Sequence, residues 1–168
     1  MVNSDLTLNE ILPDLLPTAV SDRMANLQKQ IMILTQYQRM MELAMWSEMI
    51  PITQPLKTMG VKGTDVGVYA YIYKPTSAIQ YIGQGVICSR VARFRSVFSN
   101  NGEIVNDSNY HAAKKAYALD PDINNWQVQT LVLNVEKDTA KGLASVIETD
   151  YIDMFSPLFN SDSMAGKG

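Results

Sequence analysis

The 168 residues are 46% hydrophobic and 18% charged, with a formal net charge of −3 at pH 7. This length accommodates one compact domain plus an appended helical piece, and the composition excludes a disordered chain. No apolar run approaches the roughly 18 residues a membrane span needs, no basic-then-apolar leader is visible, and the lone cysteine, Cys88, excludes an internal disulfide. The expectation is a cytoplasmic chain with no membrane partner.

In chain order, residues 1–60 read as a helical extension ahead of a second unit over 61–168. Pro13 and Pro17 punctuate a short leading segment. A long helix is predicted from Ser21, whose hydroxyl suits an N-cap, to Met49, with Pro51 ending it. Inside it Met24, Leu27, Ile31, Leu34, Gln38, Met41 and Met45 recur at alternating spacings of three and four, a heptad seam with one polar member. Two readings of that seam stay open: a helix packed on its own domain, or a homodimer through the 21–49 helix in which Gln38 sets the register. The segment 51–63, with Pro51, Pro55, Gly60 and Gly63, reads as a linker.

Beyond Gly63 the period changes. Val66 to Tyr73 is aromatic and β-branched, a strand by composition. Residues 74–77 form a turn and Ala78 to Ile82 the returning strand of an antiparallel hairpin. Val86 to Phe98 suits a helix, Asn109 to Ala118 a shorter one, and Trp126 to Val135 a strand. Asp138 is read as the cap of a last helix that ends near Phe155, before Pro157. The order β-β-α-α-β-α predicts an α+β fold, a small three-stranded antiparallel sheet flanked by helices. Charge is unevenly spread: residues 61–119 hold seven Lys and Arg against three Asp and Glu, while residues 120–168 hold three against eight. A local basic face can meet phosphates although the whole chain is acidic.

Two charged residues interrupt apolar helix faces. With Ala144 at zero on the last helix, Ile147, Tyr151 and Phe155 fall within about 60° of it, and Glu148 falls among them. With Arg90 at zero on the earlier helix, Val86, Ile87, Phe94 and Val97 do the same; Arg93 sits at the stripe's edge and Arg95 points away. A carboxylate or guanidinium there needs a partner, because desolvating an unpaired charge costs several kcal/mol. The two groups pairing with each other would be the economical structural explanation. The alternative comes from the hairpin, where Tyr69, Tyr71 and Tyr73 alternate on one face and Tyr81 arrives from the partner strand. Phenols, a guanidinium and a carboxylate on one sheet face suit phosphodiester cleavage, the guanidinium clamping phosphate and the carboxylate holding a divalent metal.

Gly67-Val-Tyr69, eleven intervening residues and Tyr81-Ile-Gly83, followed by Arg90, Glu148 and Asn160 in order, resemble the GIY-YIG endonuclease superfamily over roughly residues 66–160. The resemblance implies hydrolysis of DNA by a stand-alone restriction-type or phage-encoded endonuclease, with RNA left open as substrate. It implies Mg2+ (or Mn2+) on Glu148 as metal ligand, Arg90 holding the scissile phosphate, and Tyr69 or Tyr81 taking the proton of attacking water. A phenol with an ordinary pKa near 10 needs a neighbouring cation for that task. Asn160 would close the motif, and His111, the only histidine, would assist at the site as in some relatives. Gln84 stands where some members carry lysine, and the step from Tyr81 to Arg90 is about one residue short of the family pattern, which keeps Arg93 in reserve. Two rivals remain: a binding or inhibitory module without turnover on the same fold, and a repair-type nickase.

Overall fold

A computed structural model describes residues 8–43, 46–104 and 111–160, with the backbone alone described for 8–17 and 40–43. The chain divides into two compact units, 1–43 and 44–168. The first is a single helix, α1, Leu8–Leu43. It spans Pro13 and Pro17, which were expected to stand outside it, and Ser21 is interior to it rather than its N-cap. The two prolines are four apart and so lie on one side of the helix, where each removes one ladder hydrogen bond. The helix also ends earlier than expected. Residues 46–49 are extended because their backbone finds partners on a strand: Ser47 N–H donates to the Thr130 carbonyl at 2.8 Å, and Gln129 Nε2 donates to the Ser47 carbonyl at 2.8 Å. Met45, the last expected seam residue, lies outside the described residues.

The second unit is α+β. Its strands are β1 (Ile50–Pro51), β2 (Val66–Tyr73), β3 (Ala78–Val86) and β4 (Trp126–Val132), in the spatial order β1-β4-β2-β3 and antiparallel throughout. The expected three-stranded sheet therefore has a fourth strand. The addition comes from the segment read as a linker: Ile50 pairs with Val128, and Ile52, Leu56 and Val61 are buried. Arg95 secures this segment, its Nη2 donating to the Gln54 carbonyl at 2.6 Å. Proline and glycine gave the stretch a linker's composition, but its aliphatic residues are core.

Helices α2 (Ile87–Ser99), α3 (His111–Leu119) and α4 (Lys137–Phe155) cover the sheet. The N-cap of α4 is Glu136, whose carboxylate accepts from the Asp138 and Thr139 N–H groups at 3.1 and 3.2 Å; the expected cap, Asp138, is inside the first turn. Strand alternation sorts the sheet into two faces. Tyr69, Tyr71, Val128 and Trp126 share a core with Ile87, Val91 and Phe94 of α2 and with Ala113 and Ala116 of α3. Val68, Ala70, Ile72, Ile82 and Leu131 point the other way and are all at most 3% exposed, beneath α4, whose buried stripe is Ala140, Leu143, Ala144 and Ile147. Among the described residues no helix is long and apolar enough to cross a membrane.

Candidate active site

The tyrosine face is set by register. Tyr71 lies opposite Tyr81 and Tyr69 opposite Gly83, so the three phenols and two glycines of β3 share one surface. Ring centroids are 6.2 Å apart for Tyr69 and Tyr81, 5.8 Å for Tyr71 and Tyr81, and 5.1 Å for Tyr69 and Tyr71. Tyr71 is a structural member, ring against Phe94 at 4.3 Å and Oη donating to the Arg90 carbonyl at 3.2 Å. Tyr73 leaves the cluster. A register shift between Tyr71 and Ile72 turns the strand end, and the Tyr73 hydroxyl donates to Asp120 Oδ2 at 2.9 Å. That carboxylate raises the Tyr73 phenol, while the Asp122 N–H, Asn125 amide and Tyr73 hydroxyl hold Asp120 below the usual carboxylate range. The Trp126 indole N–H donates to the Asp120 carbonyl at 3.2 Å, so this network is a corner brace.

Two glycines of β3 give the site its floor. A β-carbon at Gly83 would stand 2.5 Å from the Tyr69 hydroxyl and 2.6 Å from the Tyr81 ring, so the phenol lies directly across the bare backbone. At Gly85, whose φ is +132°, the same atom would stand 3.1 Å from Arg90 Nε. Positions two apart on a strand are about 7 Å apart on one face, so the Tyr69 phenol and the Arg90 guanidinium occupy adjacent berths on β3. Arg90 is half-buried at the first turn of α2, whereas Arg93 is exposed. Of the two arginines, Arg90 is the one placed against Gly85. The returning strand was expected to end at Ile82, yet β3 runs through both glycines to Val86. The missed signal was their spacing from Tyr81, three small or aromatic positions on a single face.

Asn160 is buried at 4% exposure, and its place is at the outer edge of β3. Its Oδ1 accepts from the Ile82 N–H at 2.9 Å and its Nδ2 donates to the Ile82 carbonyl at 2.8 Å. The side-chain amide thus pairs with the free strand edge, and next to it Phe159 packs on Trp126 at 6.2 Å. Since α4 covers one face and Phe159 belongs to the core of the other, the chain passes around the β3 edge between them. Asn160 is a positioning residue at that crossing.

Glu148 comes from the helix on the opposite face from the tyrosines. It is half-buried and flanks the stripe that ends at Ile147, whereas Phe155, expected within that stripe, is 48% exposed. The last turns of α4 are not buried, because there the chain is leaving the sheet for the β3 edge. Tyr69, Tyr81 and Arg90 therefore share one sheet face, whereas Glu148, expected from sequence to converge with them, comes from the helix on the other face. Ala140 lines a common cavity with Val66 and Leu133.

No family model, curated protein or solved structure matches the chain. The likeness to GIY-YIG nucleases rests on the motif residues. His111 is exposed at the first residue of α3. Cys88 contacts the Lys62 carbonyl at 3.5 Å and is raised above its ordinary pKa chiefly by burial, which makes it a poor nucleophile.

Proposed function

We propose that this chain is a metal-dependent endonuclease that hydrolyses DNA phosphodiester bonds, a stand-alone enzyme of restriction or phage-encoded type. The observation that carries the reading is the seating of the Tyr69 phenol over Gly83 and of the Arg90 guanidinium over Gly85. A proton acceptor and a phosphate-binding cation then stand side by side, each seated in the space that a glycine leaves. Arg90 donates to non-bridging oxygens of the scissile phosphate. The Tyr69 oxygen orients the attacking water and takes its proton. Tyr81 flanks it and is the alternative acceptor.

Glu148, half-buried on α4, is the residue that would hold Mg2+ or Mn2+. Such a cation supplies charge neutralisation on the phosphate and on the departing 3′ oxygen. Among the described residues no three His, Cys, Asp or Glu side chains gather as a ligand cluster. Magnesium requires none, since one or two carboxylates, waters and substrate phosphates form a usual set for it.

One observation favours a second reading, a binding module without turnover: Tyr69 is only 2% exposed, and Gly83 beneath its hydroxyl is buried as well. Cleavage of closed circular plasmid DNA separates the two. Wild type is expected to cut with Mg2+ and stop on chelation, and Glu148→Ala to be slower by at least about 100-fold. Identical traces for the two proteins would overturn the enzyme reading, and products confined to nicked circles would mark a nickase.

A further inference from the structure

Every described residue of α1 from Thr18 to Thr35 is exposed, including its apolar ones. Val20, Met24, Leu27, Ile31 and Leu34 are 45, 55, 49, 61 and 61% exposed and fall on one heptad stripe. A helix without a covering surface is marginal in water, since most helical stability in proteins comes from packing of the apolar face.

We infer that α1 pairs in parallel and in register with α1 of a second copy of this chain, Gln38 facing its counterpart. Four features commit the surface to that occupant, none of them resting on the nuclease reading. The alternating spacing of three and four is that of a two-stranded seam, with Met24, Ile31 and Gln38 at the first core position and Leu27, Leu34 and Met41 at the second. Ile31 at the first position, with Leu27 and Leu34 at the second, is the combination that favours two parallel strands over three or four. The flanks suit self-pairing as well: in a parallel pair Arg23 faces Gln28, Gln30 faces Thr35, and Tyr37 faces Glu42, so no like charges meet. Finally, Val20 to Met41 offers about 33 Å of contact, on the order of 600–800 Å² per chain, the scale of a stable interface.

Gln38 decides the direction. In parallel register its amide meets an identical amide and both can hydrogen-bond. Antiparallel pairing of the same seam would set it against Leu27 and leave a buried amide unsatisfied. Asp22, Lys29 and Arg39 lie off the seam and do not enter the contact.

The test uses the full chain in a Cys88→Ser background. Sedimentation equilibrium at roughly 50 µM is expected to give a dimer, and Leu34→Asp to weaken self-association by more than about 100-fold while the 44–168 unit keeps its thermal transition. Under mild oxidation Leu27→Cys is expected to cross-link to itself, since equivalent core positions of a parallel pair lie within disulfide reach. Lys29→Ala, off the seam, is expected to leave the dimer unchanged. A monomeric parent protein overturns the inference, whatever else covers the stripe, and so does a Leu34→Asp dimer as tight as the parent. Cross-linking only in a mixture of Leu27→Cys and Gln38→Cys chains overturns the parallel register.

Discussion

The two faces of the β-sheet are equally buried but built of different chemistry. Beneath α4 the contacts are aliphatic: Val68, Ala70, Ile72, Ile82 and Leu131 meet Leu143, Ala144 and Ile147. On the other face Tyr69, Tyr71, Tyr81 and Phe94 place ring against ring, with phenol and guanidinium tips drawn toward two glycines. An aliphatic face can only stabilise, because it has no polar atom to offer a ligand. An aromatic face with polar tips does two jobs, burying ring area while presenting hydrogen-bonding groups at its margin. On the sheet itself the aliphatic packing and the tyrosine–arginine cluster lie on separate faces, and mutations in the two should separate stability from candidate chemistry.

The largest expected effect belongs to chemistry alone. Arg90→Ala and Glu148→Ala should each lower the cleavage rate by at least about 100-fold while the melting temperature barely moves, since both residues are half-buried. Parallel kinetics and thermal melts check this, and a rate loss that tracks unfolding would erase the distinction between faces. The converse is expected for Ile147→Ala on the aliphatic side, where a fully buried side chain is truncated. Its cost is about 2–5 kcal/mol by denaturant titration, with activity per folded molecule retained. Gly85→Ala sharpens the comparison at the boundary. Its backbone φ of +132° disfavours a side chain, and the new carbon would press on Arg90 Nε at 3.1 Å. A loss of about tenfold in kcat, with KM for DNA less changed, is expected from so small a displacement of a phosphate-holding group. The smallest effect concerns the Asp120 brace. Its carboxyl pKa is depressed in the fold, so its stabilising contribution is complete above the ordinary carboxylate value and fades as pH falls through the folded value. Melting temperatures of wild type and Asp120→Asn should therefore differ at neutral pH and converge toward pH 3. A constant gap at all pH values would remove this carboxylate from the account.

Much of this fold is legible from period and composition, and the places where it is not have physical causes. The hairpin, α2, α4 and β4 follow from runs long enough to show a period of two or of about 3.6 residues. Ile50–Pro51 is too short to show any period, and its neighbours Ile52, Leu56 and Val61 are spaced among prolines and glycines that signal a linker. Their burial is decided by the free edge of β4 and the top of α2, which no local window contains. At the site, the motif residues pointed to the tyrosine face and to Arg90. The continuation of β3 through Gly83 and Gly85 was hidden because glycine ordinarily ends strands. Here its missing side chain is the space that the Tyr69 and Arg90 tips occupy. Glu148 shows the opposite failure. A helical wheel identifies the angle of a residue about one axis but not which side of a sheet that axis lies on.

The proposed activity depends on Glu148 and Arg90 serving one phosphate. A crystal structure of the chain with Mn2+ and a DNA oligonucleotide, read by the manganese anomalous signal, tests this most directly. The expected result is one ion about 2.1 Å from a Glu148 carboxylate oxygen, bound also to a phosphate that Arg90 contacts over Gly85. An ion held elsewhere, or DNA phosphate away from the glycine floor of β3, would contradict it.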